Sequence, residues 1–212
     1  MKIIEPSYTI ETPVEGEHAQ GILRAIEAAA RTCYKSEHCI QPGSAPDFVR
    51  RICQVKKHES VIEHASVTVR FIVDRGVSHE LVRHRLAAFS QESTRYCNYA
   101  SDKFGREITV IRPPFWEPDS KEYLLWVWAC EAAEIAYFGL LDAGASPQEA
   151  RSVLPNSLKT EVVMTANMRE WRHVLRLRTS SAAHPQMRQV MLPLLGEFRR
   201  HLEPIFGDIN GQ

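Results

Sequence analysis

Ala65, Val67, Val69, Phe71 and Val73 alternate with Ser66, Thr68, Arg70, Ile72 and Asp74, and this run constrains the fold more than any other part of the chain. A period of two means a strand whose successive side chains point to opposite faces, here with one face mostly apolar. An apolar sheet face must be covered, and candidate covers are visible on the N-terminal side. From His18 to Tyr34, residues Ile22, Leu23, Ile26, Ala29, Ala30 and Cys33 recur at helical spacing. Phe48, Val49, Ile52 and Val55 repeat that pattern before His58, so two helices are expected to pack inward on the sheet.

Beyond the strand, Gly76 is expected to end it and Ser78 to cap a short helix carrying Glu80, Leu81, Val82 and the triplet Arg83-His84-Arg85. Glu107–Ile111 reads as another strand, stopped by Pro113-Pro114. Asp119 with Glu122 makes a capping box for a long helix through Trp128, Ala132, Ile135 and Leu141, ending at Gly144; its aromatic face suits the core or a subunit interface. Ser146, Pro147 and Glu149 open a short helix containing Arg151. Leu158, Thr160, Val162 and Met164 alternate as a further strand. Asn167, with Glu170 three residues on, then caps a helix presenting Trp171, Val174, Leu175 and Arg178. A last helix from Pro185 to Leu202 contains Pro193, which should bend it.

These elements do not alternate in βαβ units, and no Gly-rich loop follows a strand. The expected class is therefore α+β, a largely antiparallel sheet flanked by long helices, rather than a Rossmann fold. With 212 residues, 44% of them hydrophobic, and no repeat or low-complexity linker, one domain over residues 1–212 is expected. The 26 basic and 26 acidic residues cancel, so no nucleic-acid partner is expected and any basic cluster is a local site. Five cysteines without a Cys-x-x-Cys pair suit a reducing cytoplasm. The N-terminus lacks a signal-like apolar run, and the longest uninterrupted apolar stretch, Leu124–Cys130, is too short to span a bilayer, so no membrane association is expected.

The densest chemistry lies between Arg83 and Tyr96. Arg83 and Arg85 carry planar forks of donors that match phosphate, with a charge that cannot be removed near neutral pH. On a helix, residues two apart project about 200° from each other, so the pair would serve two ligands, or one ligand and a neighbouring subunit. A solvated basic helix end making ion pairs accounts for the same triplet. Without a phosphate loop, a dinucleotide would have to be held by arginines, histidines and a helix N-terminus such as the one at Asn167, whose orphan amides attract pyrophosphate.

The longer pattern, Arg83-His84-Arg85 followed after seven residues by Ser93-Thr94-Arg95-Tyr96, resembles the signature of the flavin-dependent thymidylate synthases, the ThyX family. Upstream, His58-Glu59-Ser60-Val61-Ile62-Glu63-His64 is similar to a second family block. Downstream, Arg151, Leu154-Pro155, Asn167-Met168-Arg169-Glu170-Trp171-Arg172, His173, Leu177-Arg178 and Ala183-His184-Pro185 are similar to a third, so the likeness covers nearly the whole chain. The resemblance implies one catalytic domain that methylates dUMP to dTMP with FAD as cofactor. It also implies NADPH and 5,10-methylenetetrahydrofolate as co-substrates, and a cytoplasmic homotetramer with sites shared between subunits. The cofactor would carry the difficult step while the protein orients and polarises, and no cysteine stands where it would attack the pyrimidine.

By the same resemblance Arg178 matches the arginine that stabilises the ionised uracil ring. Taken alone it is an arginine answering the dipole of a helix C-terminus. Ser60, Arg83, His84, Arg85, Gln91, Asn167, Met168, Arg169 and His173 align with flavin contacts. Glu80, Arg83, Gln91, Glu92, Ser93, Thr94, Arg95, Arg151 and Arg178 align with nucleotide contacts, Arg95 and Arg151 holding the nucleotide and Ser93 its phosphate. Several positions depart from the commoner pattern: Ala88 for Ser, Ser90 for Asn, Glu92 for an apolar residue, Glu80 for Gln and Cys33 for Ser. A carboxylate at Glu80 suits a ribose hydroxyl and would repel phosphate.

Two other readings rest on the residues alone. His58-Glu59 with Glu63-His64 suggests a metal-dependent hydrolase, but the spacing is wrong for His-Glu-x-x-His and no metal is expected. The Arg83, Arg85 and Arg95 cluster suggests a non-catalytic nucleic-acid-binding module, against which the zero net charge counts.

Overall fold

The computed structural model describes residues 1–211. Two short strands, β1 (Lys2–Ile4) and β2 (Ser7–Ile10), precede α1 (Gly16–Thr32), α2 (Ala45–Arg50) and a π-helical turn over Arg51–Val55. A 3-10 segment, Glu59–His64, leads into β3 (Ser66–Asp74), α3 (Arg75–Leu81) and β4 (Ala87–Gln91). Then come β5 (Thr109–Ile111), α4 (Lys121–Asp142), α5 (Pro147–Ala150), β6 (Lys159–Asn167), α6 (Met168–Arg178), α7 (Pro185–His201) and α8 (Glu203–Phe206). Four strands form an antiparallel sheet in the order β2-β3-β6-β4, and β1 pairs in parallel with β5. The architecture is α+β, as the strand and helix pattern requires.

The alternation in β3 does what its period demands, since Val67, Val69, Phe71 and Val73 are all fully buried. In β6 the buried set is Thr160, Val162, Met164 and Ala166. Strand β4, absent from the expectations above, is built from the spacer between the Arg83 triplet and Ser93. Its Ala, Ser and Gln content carries little strand propensity.

The chain divides into two compact units, each assembled from three stretches. The first comprises Met1–Ser7, Phe71–Arg83 and Ser90–Val162. The second comprises Tyr8–Arg70, His84–Phe89 and the described chain from Val163 onward.

In the first unit, Ile108, Val110, Cys130, Tyr137 and Leu158 form the core under α4, and Trp126 Nε1 donates to Ser157 Oγ at 2.8 Å. Helix α4 starts at Ser120, whose Oγ accepts from Tyr123 N at 3.2 Å, and not at the expected Asp119. Gly144 ends it with φ 94°, a left-handed conformation that costs glycine nothing. The capping box of α5 is present: Glu149 Oε2 accepts from Ser146 N at 2.8 Å. Arg151 lies just past α5, in a 3-10 turn.

Helix α4 corrects one expectation. Its 22 residues, with a mean hydropathy of 1.4 over the most apolar window, make it long and apolar enough to cross a bilayer. Glu131 and Glu134 break the run of apolar side chains without lowering the average enough to matter. Leu124, Leu125, Trp128 and Ile135 are exposed along its outer side.

Helix α3 corrects another. Asp74 caps it, accepting from Val77 N at 2.9 Å, while the Ser78 hydroxyl donates back to Arg75 O. Gly76 lies inside the helix, where a Cβ would come within 2.8 Å of Asn156 Nδ2 and 2.9 Å of Asp74 Oδ1. Because the helix starts four residues earlier than expected and ends at Leu81, Arg83-His84-Arg85 falls beyond it in a turn.

In the second unit, α6 packs Trp171, Val174 and Leu175 into the core, the Trp171 indole donating to Val67 O at 2.9 Å. Arg172 is fully buried beside it. Its guanidinium holds Asp208 bidentately at 2.7 and 2.9 Å, donates through Nε to Glu59 Oε1 at 3.0 Å, and reaches the Ile205 carbonyl. One cation thus ties the 3-10 segment to the C-terminal turn.

Candidate functional site

Strand β6 hands over to α6 at Asn167, whose Oδ1 accepts from Glu170 N at 2.9 Å, the cap expected from the sequence. Steps of three make neighbours of Asn167, Glu170, His173 and Arg176 in turn, in a row that winds about half-way around α6. With Glu59, Glu63, Leu86 and Arg169 they line a cavity of about 630 Å³ in the second unit. That volume lies in the usual range for small-molecule sites. Its cations are held by acids: Arg169 Nη1 lies 2.5 Å from Glu63 Oε1 and Arg176 Nη2 3.2 Å from Glu59 Oε1. Both guanidiniums are themselves exposed, at 53% for Arg169 and 43% for Arg176, so their pairs contribute little and an anionic ligand can reach both.

Behind that wall lie three groups that the sequence did not connect. The His84 ring is only 4% exposed, its Nδ1 is 3.5 Å from Glu170 Oε1, and its Nε2 accepts the Arg178 Nε–H at 3.0 Å. Burial, then the Arg178 and His173 charges, lower its pKa to about 4, so the imidazole is neutral near pH 7. The flanking Arg83 and Arg85 are exposed. The triplet therefore alternates out, in, out instead of presenting two arginines from opposite faces of a helix. His84, Glu170 and His173 also bring three metal-ligating atoms within 4.8 Å. A cation there would have to displace the guanidinium from His84 Nε2 and overcome its repulsion.

Of the residues aligned with flavin contacts, Asn167, Arg169 and His173 meet at the cavity. Ser60 lines a second cavity of about 360 Å³ with Cys33, Tyr34, Phe48, Arg51 and His58. Met168 is fully buried and gives its N–H to Ala65 O at 2.9 Å, so its side chain belongs to the core and does not reach the cavity. The buried imidazole of His84 likewise faces Glu170 and Arg178.

The nucleotide-aligned residues of the first unit cluster after β4. Gln91 Nε2 donates to Ser78 Oγ at 2.9 Å and Thr160 Oγ1 at 3.2 Å, which fixes its amide. Glu92 is paired, accepting from the Tyr99 hydroxyl at 2.9 Å and from Lys159 Nζ at 2.8 Å, so the unexpected carboxylate serves the packing of this unit. Burial, then the Glu92 charge, push the Tyr99 phenol well above its ordinary pKa. Ser93 starts a tight turn, its Oγ accepting from Arg95 N at 3.2 Å, and Thr94 is buried. Arg95 is exposed and its Nε donates to Gln148 of α5 at 3.2 Å. Arg151, also exposed, lies three residues after Gln148, so α5 gathers both arginines. Glu80 is half-buried at the end of α3.

Burial pushes the Cys53 and Cys130 thiols up to about 11, which removes them as nucleophiles near neutral pH. From the sequence, Glu170 was expected only as a capping partner and Glu59 only as part of a metal-site pattern, while Arg176, Tyr99 and Lys159 had no expected role. The spacing of three through Asn167, Glu170, His173 and Arg176 was the available signal for two of them.

A sequence model of a family described as thymidylate synthase complementing protein matches residues 17–202. A flavin-dependent thymidylate synthase of Mycolicibacterium gilvum is 34% identical over 208 residues, covering 90% of this chain and 80% of that protein. One from Geobacter sulfurreducens is 33% identical, covering 91% and 84%. Among solved structures, ThyX from Helicobacter pylori with FAD and dUMP superposes with a TM-score of 0.74 at 22% identity, covering 96% of this chain and 98% of that one. A UMP/dUMP methylase, PolB, from Streptomyces cacaoi bound with 5-Br dUMP also gives 0.74, at 23% identity and 95% and 93% coverage. At such identities the structures speak for the fold.

Proposed function

Since the chain belongs to the flavin-dependent thymidylate synthases, we propose that it converts dUMP to dTMP within one catalytic domain over residues 1–212, using FAD, NADPH and 5,10-methylenetetrahydrofolate. The observation that carries this reading is the α6 cavity, where a capped helix N-terminus, two exchangeable arginines and His173 converge beside Leu86. This donor set fits FAD: the Arg169 and Arg176 guanidiniums and the exposed His173 imidazole suit its phosphates and ring carbonyls, and Leu86 offers apolar surface. When bound, FAD reduced by NADPH supplies the hydride, and methylenetetrahydrofolate supplies the carbon.

The chain's own residues do the rest. Asn167, Arg169 and His173 hold the cofactor, with Ser60 and Arg85 of the same unit; Arg83 and Gln91 belong to it by family alignment, as sites shared between subunits allow, while His84 and Met168 are buried behind these residues and touch no cofactor. Arg95 and Arg151 grip the dUMP phosphate with Ser93 and the amides of its turn, Glu80 takes a ribose hydroxyl away from the phosphate, and Gln91, Glu92 and Thr94 hold the turn in place through their own packing. Arg178 sets its fixed charge against the uracil ring and favours the anionic form from which C5 becomes nucleophilic. No thiol attacks C6, in keeping with the two buried cysteines.

The assembly is a homotetramer with sites shared between subunits, located in the cytoplasm without a nucleic-acid or membrane partner. The exposed apolar side of α4 forms a subunit contact. A bilayer is the poorer occupant, because two carboxyl side chains, Glu131 and Glu134, sit mid-helix. The test is direct: purified protein should show a flavin spectrum, either as isolated or after FAD addition, and should oxidise reduced flavin in a dUMP-dependent way with methylenetetrahydrofolate present. Protein that takes up no flavin would overturn the reading.

A further inference from the structure

We infer that His84 is a positioning residue for Arg178: a buried imidazole, turned by Glu170, accepts the arginine's Nε–H and thereby sets the plane of the guanidinium. This rests on the assignment of Arg178 as the group that activates the uracil ring. The geometry is specific. One ring nitrogen faces the Glu170 carboxylate at 3.5 Å and the other receives Arg178 Nε–H at 3.0 Å. Glu170 and His84 are 7% and 4% exposed, so neither is free to wander.

A hydrogen bond to Nε2 requires that nitrogen to be an acceptor, which places the single proton of the neutral ring on Nδ1, toward the carboxylate. The depressed pKa of His84 keeps the ring in that form. Protonation would convert Nε2 from an acceptor into a donor facing a cation, and Arg178 would be expelled. Among the described residues, the charged and titratable groups seen facing the ring are Glu170, Arg178 and His173, all on α6. A guanidinium acts on a planar ring through a planar fork, so fixing its Nε edge fixes the tilt of the whole group. Supporting hydrogen bonds of this kind give a functional side chain its orientation.

The experiment compares His84→Leu, which removes the acceptor, with His84→Gln, whose amide oxygen can replace Nε2. Three readouts are taken: turnover against dUMP KM, flavin affinity by titration, and the 15Nε–1H signal of Arg178 in the apoprotein. His84→Leu should lower kcat by up to about 100-fold, the scale of a misplacement of about 1 Å. Flavin affinity and dUMP KM should stay within about threefold, and His84→Gln should restore most of the loss. The Arg178 Nε–H should exchange slowly in the parent protein and in His84→Gln, and rapidly in His84→Leu. In an Arg178→Ala background, His84→Leu should cost nothing further, because residues acting as a unit are non-additive.

Additive losses, or a fall in flavin affinity that accounts for the whole effect, would overturn the inference and leave His84 as a direct flavin contact. So would an Arg178 Nε–H whose exchange is unchanged by His84→Leu. If the parent protein itself fails to bind flavin, the proposed function is at fault, and the apoprotein signal still judges the hydrogen bond.

Discussion

Replacing Arg172 by methionine keeps the aliphatic stem and removes the guanidinium from the centre of the second unit. Arg172 is fully buried and serves Asp208, Glu59 and the Ile205 carbonyl together. Removing one partner of a buried ion pair typically costs about 3–5 kcal/mol, because the other charge is left behind. Here the survivors are not abandoned. Asp208 keeps Lys57 at 2.8 Å and Arg176 at 3.5 Å, and Glu59 keeps Arg176 at 3.2 Å. Side-chain exposures of 21% for Asp208 and 18% for Glu59 also let water help. The loss should therefore sit near the lower limit, about 3 kcal/mol. Followed by circular dichroism in urea, this shifts the midpoint by about 1–1.5 M for a slope of about 2–3 kcal/mol per M. Arg172→Met with Asp208→Asn should lose less than Arg172→Met alone, since the orphaned charge is gone. The pair also has an acid signature. Desolvation opposes ionisation of Asp208, but hydrogen bonds from Arg172 and Lys57 outweigh it and depress the pKa below 3.8. The stabilisation is thus full above pH 3.8 and fades as pH falls below it, and Arg172→Met should weaken that dependence. A midpoint within about 0.3 M of the parent would refute the keystone role of Arg172.

Four further outcomes are expected. Arg178→Ala should slow dUMP-dependent flavin oxidation by the equivalent of about 2.7–4 kcal/mol, the scale of one preorganised donor, and Arg178→Lys should recover only part, with flavin affinity nearly unchanged in a direct titration; near-normal oxidation at saturating dUMP would move activation to the Ser93 turn. His84 binds its proton less readily folded, at about 4, than unfolded, at 6.5. Stability should therefore be full above pH 6.5 and fall toward pH 4 by up to about 3 kcal/mol, and His84→Gln should flatten that window in a pH series of urea midpoints. Substituting Ser for Cys33, Cys39 and Cys97 and Ala for the buried Cys53 and Cys130 should preserve dTMP formation, checked by product chromatography on folded, flavin-bound protein. Trp128→Glu with Ile135→Glu, on the exposed side of α4, should lower the mass seen by light scattering, and an unchanged mass would place the subunit contact elsewhere.

The sequence by itself determined what neighbouring residues can decide between them. The alternation of β3, the Asn167 cap of α6, the Ser146–Glu149 box and the glycine end of α4 all depend on groups a few positions apart, and each appears in the structure. The family likewise was readable from ordered motifs. Tertiary structure decided what depends on long-range partners. Asp74 took the cap of α3 that Ser78 was expected to provide, leaving the Ser78 hydroxyl to accept from Gln91. That early start ended α3 at Leu81, and the spacer beyond it became a strand although its own side chains carry little preference for one. The same shift turned the imidazole of His84 inward, to meet Arg178 ninety-four positions away. No local period or cap encodes such a meeting. It exists because sheet order and helix packing bring distant segments together, and burial then requires each polar group to find a partner.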